Sequence, residues 1–134
     1  MNPKFLIFLS IVVLFFSCRK PENSPAPSSI IKGKKWKLVS YTLNGTEIIN
    51  GFTNCTLSFN NDGTLIVAND GKNNNGTWKE FSNPPKIEMD ITSNDSYVNL
   101  LNKTWETAFL NPGRIKLADD KINPQEVITL DLIP

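Results

Sequence analysis

Residues 86–92, "KIEMDIT", alternate without a break: Ile87, Met89 and Ile91 fall on one side of an extended chain, Lys86, Glu88 and Asp90 on the other. A period of two sends successive side chains to opposite faces, so this segment is a half-buried strand and not a helix. The pattern returns along most of the chain. "KKWKLVSYTL" ends at Asn44-Gly45, a pair suited to a tight hairpin turn. "NCTLSFN" runs into "NDG", "TLIVAN" follows, "NDGKNNNG" reads as a loop, and "TWKEF" is a short strand behind it. Pro84-Pro85 breaks the pairing, because proline donates nothing to a strand ladder. After the turn "SNDS" come "TWETAFL", the turn "NPG", "RIKLA", the loop "DDKINP" and "EVITLDL".

That makes about eight strands joined in sequence by short turns. No window keeps a helical period beyond two turns, and Tyr97 to Asn102 is at most a short helical turn. Meandering hairpins without a long crossover predict an all-β fold, an eight-stranded antiparallel up-and-down barrel, which also removes exposed sheet edges. From about residue 30 onward the chain has room for one such domain with one core.

The more apolar face of each strand supplies the expected interior. Trp36, Leu38, Cys55, Leu57, Phe59, Leu65, Val67 and Trp78 come from the first half. Ile87, Met89, Ile91, Trp105, Phe109, Ile115, Leu117, Ile128, Leu130 and Leu132 come from the second. Tyr41 and Phe81 are the aromatic residues expected on the outer faces. An eight-stranded barrel can be filled by side chains or hold one small ligand. With three tryptophans the list is heavy enough to plug the barrel. Trp78, Met89, Trp105 and Phe109 would also line one apolar pocket with an adaptable methionine wall, and they are the ligand-binding candidates.

Several function classes are disfavoured. The chain has no histidine, which removes the commonest general base and the usual zinc sites, so any enzyme here would use carboxylates, lysines or hydroxyls. Glu88 and Asp90 lie two apart on the polar strand face and are expected to meet water, not to act as an acid–base pair. "NDGKNNNG" fails the EF-hand template, because required ligand positions fall on glycine or lysine in every register. Asp119 and Asp120 read as turn residues. No enzyme activity, cofactor or metal is expected. Cys55 is expected to be a small buried hydrophobe.

The amino terminus says where the chain sits. Lys4 precedes an apolar stretch, Phe5 to Phe16, too short to cross a bilayer and suited to a secretory signal. Ser17 then stands directly before Cys18. This resembles the lipobox of bacterial lipoproteins, in the looser form found in Bacteroidota, and implies removal of residues 1–17 and acylation of Cys18. Several acyl chains hold stably to a membrane where one does not. Residues 18–30, rich in proline and serine, are expected to be a flexible tether to a domain over 31–134. Without Lys4 the 14 basic side chains become 13, equal to the 13 acidic ones, so nothing suggests nucleic acid. Lys32, Lys34, Lys35 and Lys37 cluster beside the tether, as a solvated strand end or a contact to anionic head groups.

"IKGKKWKLVSYTLNG", "CTLSFNNDGTLIV", "GTWKE", "KIEMDI" and "TWETAFLNPGRIKL" together resemble the lipocalin-like, calycin-type domains of Bacteroidota lipoproteins across residues 31–133. The resemblance implies a barrel that captures a small apolar or amphipathic ligand in its mouth. It also implies a late-strand cation covering the first tryptophan, with Arg114 as the counterpart. The expected localisation is the cell envelope, anchored to the outer membrane on either face. Two readings stay open: a ligand-holding cup, or a filled barrel that contacts an envelope protein or a glycan.

Overall fold

A computed structural model describes residues 25–121 and 126–134. Cys18 and the expected signal segment, residues 1–17, lie outside the described residues. The chain forms β1 (Lys34–Leu43), β2 (Thr46–Glu47), β3 (Thr56–Phe59), β4 (Thr64–Asn69), β5 (Lys72–Ser82), β6 (Pro85–Thr92), β7 (Thr104–Leu110), β8 (Arg114–Asp119) and β9 (Glu126–Leu132). Each strand from β3 on pairs antiparallel with the next, β1 pairs with β3, and β9 returns to β1 from Leu43↔Glu126 to Trp36↔Leu132. The result is a closed eight-stranded barrel, with β2 a two-residue return on β1. Closure leaves no barrel strand without two partners.

Local chemistry explains the turns. Asn44 and Gly45 have φ of 51° and 78°, and Asp70 and Gly71 have 49° and 72°. Both pairs adopt the left-handed conformations of a two-residue hairpin turn. The second makes "NDGKNNNG" a tight turn plus the start of β5, where a loop was expected. Asparagine is a poor strand former alone, but Asn73 and Asn74 pair with Ala68 and Val67 of β4. Asn74 also donates from Nδ2 to the Val67 carbonyl at 3.1 Å. At Gly76, paired with Ile91, an added Cβ would lie 2.2 Å from the Asp90 carbonyl oxygen, so the strands meet too closely for any other residue.

Two short helices and one turn close the barrel. Residues of the expected tether form α1 (Pro27–Ile31), with Pro27 in its first turn and Ile30 and Ile31 buried. It packs against β6 and β7 at the end where β1 starts. The opposite end is covered by a 3-10 turn (Ile49–Gly51), Phe52 and α2 (Ser96–Asn99), whose Asp95 side chain accepts from the Tyr97 and Val98 N–H groups. Among the described residues no helix is long and apolar enough to cross a membrane.

Nearly all of the expected interior is buried. The departures from the expected facing at Phe109 and Tyr41 trace to strand bulges, each an extra residue that reverses the alternation beyond it. In β7 the register jumps between Thr107↔Leu117 and Phe109↔Lys116, so Phe109 faces out, 45% exposed, and Leu110 takes the inward place. In β1 it jumps between Leu38↔Leu130 and Ser40↔Thr129. Tyr41, expected outside, is therefore fully buried. Glu47 stabilises this irregularity, accepting from the Tyr41 N–H and the Ser40 hydroxyl at 2.8 Å each. Leu132, at the strand end, is only half-buried.

Candidate functional site

The interior comes first, because a cup would bind there. Trp36, Leu57, Phe59, Leu65, Val67, Ile87, Trp105, Ile115, Leu117, Ile128 and Leu130 have no exposed surface at all. A water-sized void beside any of them would leave some surface accessible, so these side chains pack on one another. Each tryptophan also hydrogen-bonds the backbone of a segment outside its own strand. Trp36 Nε1 donates to the Ile31 carbonyl of α1 at 3.4 Å. Trp78 donates to Asn60 in the β3–β4 turn at 3.1 Å, and Trp105 to Leu101 after α2 at 3.0 Å. Trp36 and Trp105 thus tie the wall to its closures.

Of the four ligand-binding candidates, Trp78 and Met89 are cross-strand neighbours and buried. Trp105 pairs with Ile87 and reaches toward the α2 side. Phe109 lies outside and joins none of them. Cys55 is buried, and burial, with the charge of Asp95 adding to it, pushes its thiol up to about 12, which leaves it inert as a nucleophile at neutral pH. Glu88 points outward and pairs with Lys79 at 2.8 Å. Arg114 does not cover Trp36: it lies on the outer face in a two-pronged pair with Asp131, at 2.6 and 2.8 Å. The cation over a tryptophan is instead Lys103, 5.2 Å from the centre of the Trp105 ring.

That lysine belongs to a polar cluster under the α2 lid. Glu126 accepts from the Tyr41 hydroxyl at 2.7 Å and is paired with Lys103. Tyr41 stacks on Phe52 at 5.4 Å and meets Trp105 edge-on at 6.2 Å. Asp119, paired across strands with Trp105, is buried and lies 3.4 Å from Lys121. Burial alone would raise the Glu126 carboxyl, but the hydrogen bonds from Lys103 and Tyr41 and the nearby lysine charges outweigh it and hold it below its usual value. Burial first, then the hydrogen bond with Glu126 and the charges of Glu126 and Asp119, pushes Tyr41 far above the ordinary tyrosine value. Two members were legible in the alternation: Glu126 is in phase with Ile128 and Leu130, and Asp119 with Ile115 and Leu117. Tyr41 was hidden by the bulge.

The same end carries an open polar recess of about 430 Å³, lined by Lys72, Asn73, Asn74, Asn94 and Asp95. Its walls are held in place. Asn69 Nδ2 donates to Asp95 at 2.8 Å, and the Ser93 hydroxyl donates to Asn74 at 2.6 Å. Among the described residues no group of three or more histidine, cysteine, aspartate or glutamate side chains gathers to hold a metal.

Among solved structures, the chain is similar to a DUF4847 family protein from Bacteroides vulgatus, at 13% identity. The likeness has a TM-score of 0.60 and covers 78% of this chain and 95% of that one. It supports the barrel fold. No protein-family model matches the sequence, and no curated protein matches it.

Proposed function

We propose that this chain is a lipid-anchored, lipocalin-like barrel of the cell envelope that works through its surface and not through an internal ligand. Its polar end, away from the tether, would meet an envelope protein or a glycan, and no catalysis is assigned. The observation that supports this reading is the filled interior: of the side chains that would line a cup, Trp78, Met89 and Trp105 are buried against their neighbours, and Phe109 lies outside. An apolar ligand between Trp78, Met89 and Trp105 would have to displace side chains already packed, at a cost of the size seen on overfilling a core. The recess at Lys72, Asn73 and Asn94 is open and polar, the chemistry of a surface contact and not of a lipid cavity.

The test is native mass spectrometry of the anchor-free chain, residues 19–134, secreted by its own host. The described buried contacts all lie between residues 27 and 132, so the truncation removes none of them. The expected result is the bare polypeptide mass, with tryptophan emission unchanged by fatty acids. A co-purifying small molecule, lost in Met89→Glu while circular dichroism stays native, would overturn this reading in favour of a cup.

A further inference from the structure

The chain emerges from the barrel along a specific surface. Pro25, the first described residue, lies in a groove of about 260 Å³ with Pro85, Thr107, Ala108, Phe109 and Leu110. Pro84, next in the chain to Pro85, borders a second recess with Phe81, Lys86 and Thr104. Phe81 is 43% exposed and Phe109 45%. Strand pairing puts both rings on the outer face near the end closed by α1: Phe81 sits beside Lys86 in the β5–β6 hairpin, and Phe109 beside Lys116 near the β7–β8 turn. Ile133, also exposed, is at this end, its N–H donating to Lys35 at 3.0 Å. Lys32 and Lys35, both exposed, stand here too.

Half-exposed phenylalanines on β5 and β7, the two strands that flank β6, with lysines at the same end, form a surface whose apolar part is poorly satisfied by water. A second barrel could not extend the sheet, because every barrel strand already has two partners. What lies nearby is set by the chain itself. Six residues separate Cys18 from Pro25, and such a segment reaches at most about 25 Å even fully extended. If Cys18 is acylated, this end is confined close to the bilayer, where a short link makes even a weak contact well populated.

We infer that this rim is a membrane seat: Phe81 and Phe109 enter the head-group layer of the leaflet that holds the anchor, while Lys32 and Lys35 face its anionic lipids. Aromatic rings with flanking cations suit that boundary, whose outer part is polar and charged and whose inner part is apolar. The seat turns the polar recess and the Tyr41–Glu126–Lys103 cluster away from the bilayer. The inference rests on the proposed anchor at Cys18.

The experiment is hydrogen exchange on the full acylated chain in nanodiscs of phosphatidylethanolamine and phosphatidylglycerol, with acylation verified separately by mass spectrometry. The expected result is severalfold slower exchange in the turns around Asn83 and Gly113 than in the anchor-free chain in buffer, with the turn at Asp70-Gly71 unchanged. The double variant Phe81→Ser, Phe109→Ser should lose that protection while remaining acylated. Vesicles of the same lipids should bind the anchor-free chain weakly and the double variant about tenfold less, the scale of one lost aromatic burial. Equal exchange at both ends, or protection that survives the double variant, would overturn the seat. Protection that grows with the concentration of anchor-free chain in buffer would also overturn it, assigning the rim to a second copy. Absence of acyl chains at Cys18 would sink the anchor reading, whereas the vesicle measurement would still judge the rim.

Discussion

The two ends of the barrel are closed in opposite ways. At the tether end α1 inserts Ile30 and Ile31, and two hydrogen bonds accompany that burial, the Ser28 N–H donating to Glu80 at 2.8 Å and Trp36 Nε1 donating to the Ile31 carbonyl at 3.4 Å. At the far end the lid over the core is cross-linked by polar groups: Tyr41 to Glu126, Glu126 to Lys103, and Asn69 to Asp95. Apolar burial carries no charge, so the part of the first closure that Ile30 and Ile31 supply should hold at any moderate pH. Buried hydrogen-bonded charges depend on protonation, so the second closure should weaken at both extremes. The difference teaches that one small barrel can be insensitive to pH at one mouth and responsive at the other.

The largest expected effect breaks the apolar end. Ile31→Ala should cost about 3 kcal/mol, as removal of a fully buried branched side chain does, read by urea unfolding. The loss should be the same at neutral and mildly acidic pH, and a loss that varies with pH would erase the contrast between the ends. Next comes Lys103→Met, which leaves the Glu126 carboxylate leaning on Tyr41. Removing one partner of a buried pair is costly, and with Lys103 partly exposed about 2 kcal/mol at neutral pH is expected. The Glu126 carboxyl is lowered in the folded state, so its contribution is full above the ordinary glutamate value and is lost as pH falls through the folded value. The penalty of Lys103→Met should therefore shrink in acid, and a penalty constant down to the acid transition would show that the pair does not couple to folding.

Tyr41→Phe should cost less, about 1 kcal/mol, the scale of one hydrogen bond. Tyr41 is raised in the folded state, so the stability it contributes is complete below about pH 10 and falls as pH climbs beyond it. The variant should lose that part of the alkaline decline, and an unchanged alkaline limb would place the titrating group elsewhere. The smallest effect belongs to the rim. Phe81→Ser with Phe109→Ser should change stability by less than about 0.5 kcal/mol, because neither ring is packed in the core. A larger loss would make the rim part of the fold and sharpen the comparison in the opposite direction.

Much of this architecture was legible in the chain. The eight strand segments, the hairpins at Asn44-Gly45 and Asn61-Asp62-Gly63, the short helical turn near Tyr97 and the buried Cys55 follow from alternation and turn chemistry, both local properties. Two of the errors share one cause. Tyr41 was expected outside and Phe109 inside because strict alternation was carried past positions where each strand holds one extra residue. Asp119 looked like a turn residue beside Asp120, yet the strand continues through it and buries it. The asparagine-rich stretch after Gly71 looked like a loop, yet β4 pairs with all of it and β6 joins at Asn75.

The sequence by itself determined the all-β class, the order of the strands and most of the buried face, because a side chain's preference for one side of a pleated strand depends on near neighbours. Only the tertiary structure decided where β1 and β7 bulge, that the end of the expected tether folds into α1 so that Ile30 and Ile31 cover one mouth, and that the tryptophans fill the interior. Those outcomes depend on whether eight strands meet in register around a ring and on how much volume remains inside it, quantities that no single strand carries.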